Sequence, residues 1–358
     1  MILVSIGTTL TRYVDMIEEM NMLFKGKIIV VARGVFVLQT IPVGGAIPEA
    51  TLQDIAKIEG VRNATPLCCW LNFESESVLL PSNITFGVPI NSVHVLTGSI
   101  PLEAGNWPKN DAAEEVVIGV SLAEQYSLHV GSKLNIKNHT VEVVGVLNAK
   151  LSILSRAIIM SLKMAQKLYR FYGLVNMIVV EPEDGSSSTE LSGIIEKEIV
   201  GVKALTEKER NSLIQPLLDE IEGWNFGITA ALLLLTMCLV ATVTFINISE
   251  RRKEFAVLDA IGAPKTTALR MIAAETLIIG LIGSFIGLIL GAIAAVVIAS
   301  KYTSIPIHLF MSNITTFVPL PLVMETIGLT VVVCCFGGII SVLIMNRKLT
   351  SEILRGEH

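Results

Sequence analysis

The sequence predicts an α-helical membrane protein with three full transmembrane helices, the remnant of a first, and a large α+β domain outside the cytoplasm. Three observations predict it. The 358 residues are 52% hydrophobic and only 16% charged, with a mean hydropathy of +0.65, too apolar for an ordinary soluble protein. The apolar excess is concentrated in three long runs beyond residue 224, while residues 11–224 read as a mixed, soluble sequence. Basic residues gather at two of the connections between and after these runs, which assigns the sides of the membrane.

In chain order, MILVSIGTTL comes first: about ten apolar residues, half of the roughly 20 that a span needs, without a basic leader or a cleavage site. Residues 1–10 therefore read as the end of a first transmembrane helix. Residues 11–224 form the extracytoplasmic domain, expected to be α+β with two lobes. KIIVVAR at 27–33 reads as a buried strand, and the stretch from Pro48 to Gly60 as a short helix. Further on, residues 114–147 read as strand, short helix and hairpin, the turn being Lys137-Asn138-His139. NMIVVEPEDG gives another strand, and SSSTELSGIIEKEI a helix opened by serine caps.

This domain holds 18 basic and 25 acidic residues, without a basic stripe, which excludes the electrostatic footprint of a nucleic-acid binder. Cys68 and Cys69 read as small apolar core residues or as free external thiols, and the five cysteines have neither disulfide-framework nor zinc spacing. Three patterns imitate catalytic motifs. Gly119-Val-Ser121-Leu-Ala123 comes within one residue of a nucleophile elbow, but the surrounding βαβ alternation is missing, so Ser121 reads as a helix N-cap. Gly262-Ala-Pro-Lys265-Thr266 resembles the tail of a phosphate loop, with proline where glycine is required. His94, His129, His139, His308 and His358 show no ligand spacing. No catalytic residue and no metal site is expected.

Residues 225–358 form the transmembrane domain, with spans at about 225–248, 271–300 and 320–345. Glu275 and Glu325 stand near the starts of the second and third spans, where a carboxylate reaches water at the interface. Arg251, Arg252, Lys253, Lys265 and Arg270 lie between the first two spans, and Arg347, Lys348 and Arg355 follow the third. The 249–270 connection and the C-terminus are thereby assigned to the cytoplasm of a multi-pass cell-membrane protein. Within that connection, Phe255, Leu258 and Ile261 recur every three residues on one side of a short helix, Glu250, Arg251, Lys253 and Glu254 gather in its first turns, and Gly262 with Pro264 stops it. Two readings fit: an interfacial segment whose arginines anchor lipid phosphates, or a docking helix for a cytoplasmic partner's groove. In the second span, Gly283, Gly287 and Gly291 recur every four residues after Gly280, a stripe that lets another helix approach closely.

These residues carry a family likeness. SERRKEFAVLDAIGAPKTTALRMIAAETLIIGLIGSFIGLILGA resembles the signature of FtsX-like, MacB-type permeases of ABC transporters. IAKIEGVRNATP, VVIGVSLAEQYSLHVGSKL with VEVVGVL, and IIMSLKMAQKLY are similar to the MacB-type periplasmic core domain, and RKLTSEILRGE to the family's cytoplasmic tail. The resemblance implies a non-catalytic permease subunit with four transmembrane helices, apparently truncated here in the first. It would act as a homodimer or as a heterodimer with a second permease, on a separate dimeric ATPase that holds ATP and magnesium, while this chain binds no cofactor. An extracytoplasmic adaptor is a further partner of this class, besides the bilayer. The stretch from Glu250 to Ala263, including Arg252 and Gly262, would be the coupling helix seated on the ATPase, and Glu275 matches the family's glutamate. Closure of the ATPase would move the external domains to export or extract a substrate. The alternative is a membrane-anchored structural or sensory protein that binds an external partner without energy input.

Overall fold

The computed structural model describes residues 22–38, 41–72, 83–98, 100–149, 153–251, 265–303 and 320–336, with Glu254, Val257, Ile261 and Ile307. They fall into two compact units that part between Asp219 and Glu220.

The larger unit is built on strands β1 (Ile28–Ala32), β2 (Phe36–Leu38), β3 (Ile41–Val43), β4 (Ile47–Pro48), β5 (Val61–Asn72), β6 (Asn83–Val88), β7 (Leu102–Gly105), β8 (Glu115–Gly119), β9 (Lys133–Ile136), β10 (His139–Leu147), β11 (Ala157–Ser161), β12 (Leu174–Val175), β13 (Met177–Pro182) and β14 (Val202–Leu205). Ten of them form one sheet in the order β14-β1-β13-β5-β6-β11-β8-β10-β7, with β9 beside β10. Among the described residues only the pairs β6·β11 and β8·β10 are parallel.

The sheet is covered on both faces, which explains why its strands read as continuous apolar runs. Side chains alternate along each strand. Ile29 and Val31, Leu67 and Cys69, and Met177 and Val179 enter one core that extends along the whole sheet. Ile28, Val30, Cys68, Ile178 and Val180 point the other way into a second core, and Val116, Ile118, Ile158 and Met160 into a third. The two lobes expected from sequence are thus two cores on one side of a single sheet. The 12-residue β5 runs through both halves, and Trp70 packs against both cores.

Short helices complete these cores: α1 (Thr51–Ile55), α2 (His94–Thr97), α3 (Val120–Gln125), α4 (Leu162–Leu168) and α5 (Ser188–Glu198). Ser161 and Ser187 cap α4 and α5, accepting from the N–H groups of Met164 and Glu190. Helix α1 is shorter than the 48–60 stretch suggested: it begins at Thr51, after Ala50, which offers no side-chain cap, and ends at Ile55 with Ala56 as its C-cap, so Gly60, at φ +92°, shapes the turn into β5 rather than stopping the helix. The hairpin turn is the two residues Lys137 and Asn138, both at positive φ, while His139 already pairs with Ile136 in the ladder.

Ser121 is corrected as well. Gly119 takes the N-cap position of α3, and Ser121 lies inside the helix, 1% exposed, its Oγ without a hydrogen-bond partner. The glycine serves close packing: a Cβ at Gly119 would run into the carbonyls of Leu154 and Ser155.

In the smaller unit, residues 220–250 belong to helix α6 (Glu207–Glu250) and residues 265–297 to α7 (Lys265–Thr303), followed by α8 (Leu320–Phe336). Among the described residues two helices are long and apolar enough to cross a membrane: Glu207–Glu250, 44 residues, and Arg270–Lys301, 32 residues. Leu320–Phe336 is a shorter apolar helix, so the third full span is not reached there; residues 337–345 of that expected span lie outside the described residues.

Candidate coupling site

The candidate site forms where α6 ends. Beyond Glu250 the chain makes one more helical bond, Arg251 N–H to the carbonyl of Asn247 at 3.2 Å, and Glu254 N–H then donates to the carbonyl of Arg251 at 3.0 Å. The Arg251 guanidinium sits at this corner with its donors divided. Nε donates to Glu254 Oε2 at 2.9 Å, and Nη1 to Glu275 Oε2 at 3.0 Å. Glu254 belongs to the connection and Glu275 to helix α7, so one side chain ties the connection to the next helix.

The planar fork makes this possible, since it presents several donors in fixed directions where an ammonium acts as one compact charge. The Arg251 side chain is 36% exposed and that of Glu275 43%, so the pair contributes modestly to stability. What it supplies is registration of the connection against α7. Both line a cavity of about 250 Å³ whose walls include Val243, Ile248, Ile272 and Ile279.

On the same helix, Gly280 meets α8. A Cβ there would collide with Cys334 Sγ, and Thr330 lies next to it. The four spaced glycines differ in their surroundings. No heavy atom of the described structure lies within 4 Å of a Cβ built at Gly283, while Gly287 is half-buried and Gly291 buried. Close approach is therefore visible at Gly280.

Of the other expected coupling residues, Glu250 ends α6 exposed, and Ile261 is 74% exposed, its N–H bonded to the carbonyl of Val257. Arg252, Lys253, Phe255, Leu258, Gly262 and Ala263 lie outside the described residues, as do His308 and His358. Among the described residues there is no group of three or more His, Cys, Asp or Glu side chains able to hold a metal ion. Cys68 and Cys69 are fully buried. Burial pushes the Cys68 thiol up to about 12 and that of Cys69 well above its ordinary range. They are core residues rather than reactive external thiols.

Sequence reading named Arg251 and Glu275 but not their contact. The signal was present: two antiparallel neighbours joined by a short connection bring the end of one helix to the start of the next.

The family model of the MacB-like periplasmic core domain matches residues 1–198, and that of the FtsX-like permease C-terminal region matches residues 226–349. The chain belongs to this family of permeases. An uncharacterized ABC transporter permease of Methanocaldococcus jannaschii is 24% identical over 83% of this chain and 76% of its own length. An uncharacterized ABC transporter permease protein of Mycobacterium tuberculosis is 30% identical over 49% of the chain, which spans only 21% of that relative. Among solved structures, the periplasmic region of MacB from Actinobacillus actinomycetemcomitans aligns with a TM-score of 0.41 and 13% identity, over 54% of this chain and 94% of that one. As a permease of this family, the protein is a membrane protein with a periplasmic-type α+β domain.

Proposed function

We propose that this permease is the non-catalytic membrane subunit of an ATP-driven mechanotransmission complex of the MacB/FtsX type. Hydrolysis takes place on a separate cytoplasmic ABC ATPase, which holds the ATP and magnesium. In this reading residues 11–224 lie outside the cytoplasm, spans at about 225–248, 271–300 and 320–345 follow, and the C-terminus is cytoplasmic. Two permease copies, identical or paired with a second permease, stand on an ATPase dimer.

One observation carries the reading: Arg251 is bonded at once to Glu254 in the connection and to Glu275 on the next helix. A surface loop that only anchors lipid would leave its arginine free for phosphates. Here the guanidinium is committed to two carboxylates, an arrangement suited to carrying a push on the 250–263 segment into α7. Export or extraction of a substrate then follows from movement of the external domain.

The test is affinity capture of the full-length permease from its own membranes. Wild type is expected to bring down a small ABC ATPase, and Leu258→Asp, or a double charge reversal at Arg251 and Arg252, to lose it. Equal recovery of the ATPase by wild type and variants would remove the docking role. Recovery by neither would favour an energy-independent anchored protein.

A further inference from the structure

Among the described residues the largest fully buried side chain is an arginine. Arg210, in the first turn of α6, is 1% exposed. Burying a guanidinium is costly, and a methionine or leucine would fill similar space without that cost. What an apolar residue could not supply is a fork of donors, and the Arg210 fork reaches both a distant stretch of chain at Phe24 and Lys27 and the nearby end of β14 at Leu205. Nη2 donates to the carbonyl of Phe24 at 2.8 Å, and Nη1 to that of Lys27 at 2.8 Å and to that of Leu205 at 3.2 Å.

Phe24 and Lys27 are the two ends of a tight turn, closed by Lys27 N–H to the Phe24 carbonyl at 3.1 Å, with Gly26 at φ +71°. This turn leads directly into β1. Leu205 closes β14, the last strand of the sheet, just before α6. Glu207 completes the clasp from the same helical turn, its Oε2 accepting from Gly26 N–H at 2.8 Å. The helix start is itself fixed by a capping box: Glu209 N–H donates to Thr206 Oγ1 at 3.2 Å and Thr206 N–H to Glu209 Oε2 at 2.9 Å. On the far side, Phe24 is fully buried in the sheet's extended core, and Lys27 Nζ pairs with Glu181 of β13 at 3.0 Å.

We propose that Arg210 is a positioning residue that locks the turn leading into the external sheet to the first turn of the helix leaving it, making one rigid joint. The joint lies wholly within the larger unit. Its use, delivering movement of the membrane helices to β1 and β14 together, rests on the function proposed above.

Hydrogen–deuterium exchange on the full-length permease in nanodiscs reads the joint directly. In Arg210→Met and Arg210→Lys, amides of residues 24–28 and 205–210 are expected to exchange on the order of tenfold faster, while β8 and β11 keep wild-type protection. An ammonium cannot span the three carbonyls, so lysine is not expected to rescue. Unchanged exchange in the turn, or an equal rise throughout the sheet, would overturn the proposal, the latter marking a side chain that only stabilises the domain. Glu207→Ala, which removes the acceptor for Gly26 alone, is expected to give a milder, equally local loosening. That variant decides the matter if both Arg210 variants fail to fold.

A second arm adds the captured ATPase and ATP. Arg210→Met is expected to retain ATP turnover while losing any nucleotide-dependent change in β1 and β14 exchange; a retained change would overturn the transmission role. If wild type engages no ATPase, the functional reading falls while the first arm still decides on the joint.

Discussion

Cys68 and Cys69 are adjacent in sequence yet enter opposite cores, because neighbouring side chains of a strand point to opposite faces. Their burial has a pH consequence. A thiol whose folded pKa is raised stays protonated when the unfolded chain would ionise. Stability associated with Cys68 is therefore intact below about pH 9 and lost as pH rises toward about 12. Thiol titration of the native permease at pH 8 should leave both cysteines unmodified until denaturant is added, and rapid native labelling of either would contradict their placement. At Gly119, alanine would press a methyl into the carbonyls of Leu154 and Ser155. Thermal or chemical unfolding of Gly119→Ala should show a loss of about 1–3 kcal/mol, whereas an unchanged midpoint would mean that the backbone yields there. Individual residues were unevenly legible. The pattern around Ser121 looked like chemistry or a cap, and it is glycine packing. Arg210 sits in TEKER, which reads as a solvated, capped helix start, and its acceptors at Phe24 and Lys27 lie more than 180 positions away.

At the scale of elements, local signals performed well where they were self-contained. The strand at 27–33, the strand at 176–185 and the serine-capped helix all appear because alternation and capping are written within a few residues. The joining of β5 to both halves of the sheet was not legible, since strand order depends on long-range pairing that no local window contains. The glycine stripe was legible as a stripe, but which glycine meets a helix was not. Gly280 faces Cys334, while Gly283 has open space around it among the described residues. Gly280→Val should therefore lower the thermal midpoint of the detergent-solubilised permease by several degrees, and Gly283→Val should leave it nearly unchanged. Equal effects would contradict the packing of α8 on α7 at this point.

For the whole molecule, composition separated an apolar membrane part from a mixed external part, and the family models match each of these regions. The proposed coupling segment was legible only as a charged, amphipathic connection. Contact between Arg251 and Glu275 gives that connection a physical link to the membrane helices. The most direct measurement of the central claim is the ATPase rate of the reconstituted complex with wild type, Arg251→Glu, Glu275→Arg and the double exchange. If the ion pair transmits the stroke, each single variant uncouples the ATPase from the permease, and the double exchange restores a substantial part of the wild-type response. Wild-type rates in both single variants, or a double exchange no better than either, would contradict it.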